Sequence, residues 1–69
     1  MALSKVQMTL IQYLKAFELT EESIIGTMLL LPEDEEAQQM IDWLNDNLAA
    51  TQNQIILKAL ELTKLESEE

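Results

Sequence analysis

Few side chains in this sequence could do chemistry. The densest group is Glu33-Asp34-Glu35-Glu36, directly after Pro32. Such a run could hold a divalent cation or meet a basic partner. A calcium loop, however, alternates its ligands and places a Gly at the sharp turn. A carboxylate metal site in a helical bundle uses Glu-x-x-His. The run has neither pattern, and the chain has no His. These acids read instead as a solvated helix start, where negative charge complements the positive end of the helix dipole. Asp42 and Asp46, four apart on one helix surface, read as solvent-facing in the same way. Trp43 is the sole Trp. It sits at the edge of an apolar stripe, a place that suits either an interface anchor or a lid on the rim of the core.

Most other chemistry is excluded by what is missing. Among 69 residues there is no Cys, no His and no Arg. That removes disulfide and thiolate chemistry and Cys/His zinc sites. It also removes Ser-His-Asp or Cys-His nucleophiles and Arg clamps on phosphate or carboxylate. Paired carboxylates acting as general acid and base are compatible with the composition. A chain this short can barely close its own core, which leaves no room for a catalytic pocket. The expectation is a protein that is not an enzyme, with no metal and no cofactor.

Four Lys face thirteen acids, for a net charge of -9. The imbalance is local. Lys5 and Lys15 against Glu18 give residues 1–20 a charge of +1. Residues 21–46 hold eight acids and no base, giving -8, and two Lys against four Glu give residues 47–69 a charge of -2. An acidic middle repels phosphates and anionic lipid, so direct binding to nucleic acid or a membrane surface is disfavoured and a basic protein partner is favoured. At 48% apolar content with thirteen Leu, the chain is not disordered in composition. The N-terminus does not read as a secretory signal. The longest apolar stretch, Ile24–Leu31, is broken by Gly26 and Thr27 and falls far short of the ~20 residues of a membrane span. A cytoplasmic location is expected.

The elements that would position these residues are all helical. Leu3, Val6, Leu10, Tyr13, Leu14 and Phe17 recur at three- and four-residue spacing and predict a helix over about 3–19. Met8, Ile11 and Leu19 form a second apolar strip on it. Thr20 followed by Glu21 and Glu22 is a helix-start signal, predicting a second helix over 21–30, ended by Pro32. A helix running on through Thr20 is the alternative. Ile24, Ile25, Met28, Leu29 and Leu31 would form its buried face, with Leu30 pointing away. Gly26 could allow a close helix crossing. Pro32 and the acids after it open a third helix over 33–47, with Ala37, Met40, Ile41, Leu44 and Leu48 as its stripe. Thr51-x-x-Gln54 matches a capping box for a fourth helix over 52–65, whose wide face holds Ile55, Ile56, Ala59, Leu60 and Leu62. No repeat, low-complexity linker or strand pattern is read. The expected fold is an all-α compact bundle of three to four short helices: a single domain over 1–66, then an acidic tail at 67–69. The connections are too short for parallel sequential neighbours, so successive helices should run antiparallel or cross steeply.

Below ~70–80 residues a single core rarely supplies more than about 3–5 kcal/mol. This chain has no disulfide or metal to add to that. Yet Met8, Ile11, Leu30, Leu57, Leu65 and Trp43 are apolar residues beyond what the four stripes can bury. A symmetric homodimer would cover the surplus.

Ser23 lies near a helix start in Glu22-Ser23-Ile24. A small acidic four-helix protein with such a serine resembles acyl and peptidyl carrier proteins, whose serine bears a phosphopantetheine arm. Their motif is Asp-Ser-Leu, and the departure here makes an ordinary first-turn serine the expectation. The segments Glu18-Leu19-Thr20-Glu21-Glu22, Met28-Leu29-Leu30-Leu31, Met40-Ile41-Asp42-Trp43-Leu44 and Ala59-Leu60-Glu61-Leu62 together resemble short acidic helical proteins of unknown function from Gram-positive bacteria and their phages. That resemblance implies a bacterial or phage origin and carries no active-site residue across. The expected role is a non-enzymatic interaction or regulatory protein. An acidic mimic of nucleic acid, of the kind phage inhibitors use, is the alternative, and an acyl-carrier-like protein a minor one.

Overall fold

The structure, a computed structural model, describes residues 3–67, with side-chain surroundings through Thr63. Leu65's side chain and the end of the acidic tail lie outside the described residues. Four helices follow in order: α1 Lys5–Ala16, α2 Glu21–Leu30, α3 Asp34–Asp46 and α4 Gln52–Ser67.

Each start is set by a side chain that satisfies otherwise orphaned backbone N–H groups. Ser4 Oγ accepts from the Gln7 N–H at 3.1 Å, and Gln7 Oε1 accepts from the Ser4 N–H at 3.0 Å. This reciprocal capping box starts α1 at Lys5 instead of Leu3 and leaves Leu3 outside the stripe expected of it. Thr20 Oγ accepts from the Ser23 N–H at 3.2 Å and starts α2 as expected. Thr51 and Gln54 form the box predicted for α4, at 3.3 and 2.9 Å.

The ends differ more. α1 stops at Ala16, three residues before the expected Leu19. Glu18 takes a left-handed φ of 65°. Its N–H donates to Lys15 O at 2.9 Å, and the Leu19 N–H reaches back to Leu14 O at 3.2 Å. This is a Schellman ending with Glu where Gly is usual. It turns the chain, buries Leu19 and excludes a continuous α1–α2 helix. At the end of α3 the Asn47 side chain donates to Trp43 O at 2.8 Å. Leu48 therefore lies past the helix, 74% exposed, and is not part of its stripe. α4 continues two residues beyond the expected Leu65.

Long-range hydrogen bonds fix the topology. Ser4 Oγ donates to Asp34 Oδ1 at 2.6 Å, and Tyr13 Oη donates to Asn45 Oδ1 at 3.1 Å. The start of α1 thus meets the start of α3, and end meets end. The Thr20 N–H donates to Gln52 Oε1 at 3.1 Å, and Thr63 Oγ1 donates to Leu30 O at 2.8 Å. α2 and α4 are paired in the same parallel sense. The most extensive packing joins alternate helices, α1 with α3 and α2 with α4, and not successive ones.

This arrangement reveals a repeat that the linear pattern does not declare. Leu10-Ile11-x-Tyr13-Leu14 on α1 matches Met40-Ile41-x-Trp43-Leu44 on α3. Thr20-x-x-Ser23-Ile24-Ile25 on α2 matches Thr51-x-x-Gln54-Ile55-Ile56 on α4, with Leu29 and Leu31 matching Leu60 and Leu62. The fold is a pair of similar helical hairpins laid side by side.

The core between the hairpins contains Leu10, Leu14, Leu19, Ile24, Leu31, Ala37, Met40, Ile41, Leu44, Ile55, Ala59 and Leu62. On α1, α3 and α4 these fall largely where the 3.6-residue period places them. On α2 the expected face holds for Ile24, Leu31 and the half-buried Met28 but not for Ile25 and Leu29. Ile24, Thr27 and Leu31 point inward, Leu30 is half-buried, and Ile25 and Leu29 are exposed. The helix is turned by roughly one residue step, ~100°. The bonds that Thr20 and Leu30 make to α4 hold it there. Leu60, also expected inside, lies on the outer flank of α4.

Candidate functional site

The residues singled out from sequence do not converge on one place. Met8 is exposed on α1, and Ile11 packs partly against the core. Trp43 is half-buried at the rim, as its edge position implies. It shares a surface depression of about 510 Å³ with Asn47, Ala50, Leu57 and Lys58. Lys58 there pairs with Glu61 at 2.9 Å. Leu57 is exposed.

The acidic run divides. Glu33, Asp34 and Glu35 are exposed, whereas Glu36 is 5% exposed. Glu36 Oε1 accepts from the Glu33 N–H at 3.5 Å, so this carboxylate turns back onto the helix start and is not a solvated acid. Asp34 receives the Ser4 hydroxyl and links the two hairpins. Among the described residues no three Asp, Glu, His or Cys side chains are placed to hold a metal ion. Asp42 and Asp46 are exposed on α3, and Asp42 accepts from Gln38 Nε2 at 3.1 Å. The Ser23 hydroxyl accepts from Thr20 Oγ1 at 3.0 Å, so it belongs to the cap of α2.

What the sequence reading missed is the contrast between the two outer faces. The α1–α3 side shows Lys5, Thr9, Gln12 and Lys15 beside Glu35, Gln38, Gln39, Asp42 and Asp46, with Met8 (47% exposed) its exposed apolar residue. The α2–α4 side shows Ile25 (60% exposed), Leu29 (76%) and Leu60 together with the exposed Glu21, Glu22 and Asn53. Between those two helices runs a groove of about 540 Å³, lined by Glu22, Ser23, Gly26, Thr27, Leu29, Leu30 and Ile56. Leu30 is thus the one residue of the expected interaction set that belongs to this groove. Ile25 and Leu29 were assigned to the core because α2 is apolar on nearly every side, and the buried polar Thr27 concealed its true inward face.

Two details of the groove stand out chemically. Thr27 Oγ1 is buried without a hydrogen-bond partner, an arrangement that costs about 1–3 kcal/mol relative to a satisfied group. A Cβ built on Gly26 would meet nothing within 4 Å, so no close helix crossing inside the fold requires a glycine there. No protein-family model, curated protein or solved structure matches the chain. Its functional reading therefore rests on this surface alone. No described helix is long and apolar enough to cross a membrane.

Proposed function

We propose that the protein is a non-enzymatic interaction or regulatory module that works as a homodimer. The observation that carries this reading is the exposed apolar surface of α2 and α4, set against the polar surface of α1 and α3. Large apolar side chains left in water, and a groove lined mostly by apolar residues, support an association site, and a body this small gains most from covering it. Sedimentation equilibrium of the full chain over a micromolar to millimolar series tests the proposal. A mass of two chains that dissociates on dilution is the expected result; a single mass of 7.9 kDa throughout would refute it.

A second reading is favoured by the spacing of the exposed acids Glu35, Asp42 and Asp46 along α3. Seven and four residues apart, they share one side of the helix. They would give an acidic strip for a basic protein partner, including the nucleic-acid groove of another protein. Salt separates the readings: an acidic contact weakens steeply as salt rises, whereas an apolar dimer does not.

A further inference from the structure

We infer that the second copy docks on the outer face of α2 and α4, with the two α2 helices crossing antiparallel so that Leu29 of each copy seats over Gly26 of the other. The inference rests on the self-association proposed above and assigns its surface and register.

The argument begins with Gly26. Glycine in a helix interior is a poor helix former, and its use normally answers a left-handed φ or a close approach. Gly26 has no positive φ, and apart from its neighbours and the backbone of its own helix nothing lies within 4 Å of where its Cβ would be. The fold itself gives no reason for it. An approach from outside does. Leu29, one turn along the same helix, is the most exposed of the large apolar residues. A projecting side chain and a gap on one helix, three residues apart, are self-complementary under a two-fold axis. An axis perpendicular to α2, passing midway between the two positions, pairs 26 with 29 twice and 25 with 30 twice, as an isologous interface requires. A parallel pair would set Leu29 against Leu29 and leave both gaps empty.

Area agrees with a second copy as the occupant. An ordinary interface takes roughly 800 Å² from each partner, about one sixth of the 4845 Å² that this chain exposes. One of the two broad faces of a four-helix body can supply that. The groove is lined by a single charged residue, Glu22. Around the groove the same side carries the exposed Glu21, Glu22 and Glu61, so the contact is apolar at its centre and acidic at its margin.

The test uses the full chain and three substitutions: Leu29→Gln, Gly26→Gln and, as a control outside the face, Leu48→Gln. All three positions are exposed, so the fold should survive, and far-UV circular dichroism verifies that it does. Leu29→Gln and Gly26→Gln should each weaken dimerisation roughly tenfold or more, with Leu48→Gln unchanged. Because the chain has no Cys, register can be read by cross-linking. A mixture of Gly26→Cys and Leu29→Cys chains should form the mixed disulfide faster than either chain pairs with itself. A wild-type dimer unaffected by the first two substitutions, or equally weakened by Leu48→Gln, would overturn the face while leaving self-association standing. Fastest pairing of 26 with 26 or of 29 with 29 would overturn the antiparallel register. A wild-type chain that stays monomeric would overturn both proposals.

Discussion

Replacing Gly26 with Ala should stabilise the isolated chain. In a helix interior Ala is better than Gly by about 0.8–1.0 kcal/mol, because Gly surrenders more backbone freedom on folding. Whether the gain is realised depends on what the new methyl meets. At Gly26 it meets nothing within 4 Å, and φ is not in the left-handed region, so neither a clash nor strain is subtracted. The expected gain is thus about 1 kcal/mol, and for a domain of 60–100 residues that raises Tm by roughly 4–8 °C. Against a total of ~3–5 kcal/mol for so small a core, the effect is large. Thermal and urea melts followed by circular dichroism measure it, run dilute so that association does not contribute. The urea slope should stay constant while the midpoint rises. An unchanged or lowered Tm would show that an atom of the chain does occupy that space, and the orientation of α2 described above would be wrong. At high concentration the same methyl should loosen the dimer, so one substitution moves folding and association in opposite directions.

Three other substitutions probe separate parts of the structure, each read from the same melts. Thr27→Val replaces the unpartnered buried hydroxyl with a methyl of similar shape and should raise stability by about 1 kcal/mol or more; a loss would mean that the hydroxyl has a partner. Glu18→Gly relieves the left-handed residue that ends α1 and should raise stability by up to ~1 kcal/mol, since that region costs an L-residue roughly 1–2 kcal/mol. Leu44→Ala removes a side chain buried on all sides. Its loss of about 2–5 kcal/mol is comparable to the whole stability of such a domain, so the chain should be largely unfolded at room temperature.

How much of this could be read from the sequence depended on punctuation. Thr20 and Pro32 bracket α2, and Thr51 with Gln54 opens α4, because capping and proline act locally and carry their own signature. The end of α1 has no such mark. A Schellman turn built on Glu18 instead of Gly looks like continuing helix in the linear pattern. The stripes of α1 and α3 are legible because polar residues occupy their other sides. On α2 they are not, since Ile24–Leu31 is apolar nearly all round and several faces fit the period equally. The parallel pairing of alternate helices depends on single side-chain bonds such as Ser4 to Asp34, which no periodicity announces. The repeat is hidden for a similar reason. It conserves residue class more than identity, and the second hairpin's connection is one residue longer, so its two halves match at offsets of 30 and 31.

The same ambiguity in α2 is the strongest physical reason for the proposed assembly. A helix that is apolar on all sides belongs where all sides are covered. Within one chain α2 is covered only on the sides facing the core and α4, and two of its largest side chains, Ile25 and Leu29, remain in water. α4 presents the matching Leu60 on its outer flank, so the hairpin repeat places an apolar residue at the corresponding outer position of both helices. The corresponding outer sides of α1 and α3 are mostly polar, with Met8 of α1 the exposed apolar residue among them. A requirement of the helix period alone would have marked all four helices alike. The asymmetry falls between the two parallel pairs, which is where a contact surface on one side of the molecule would place it.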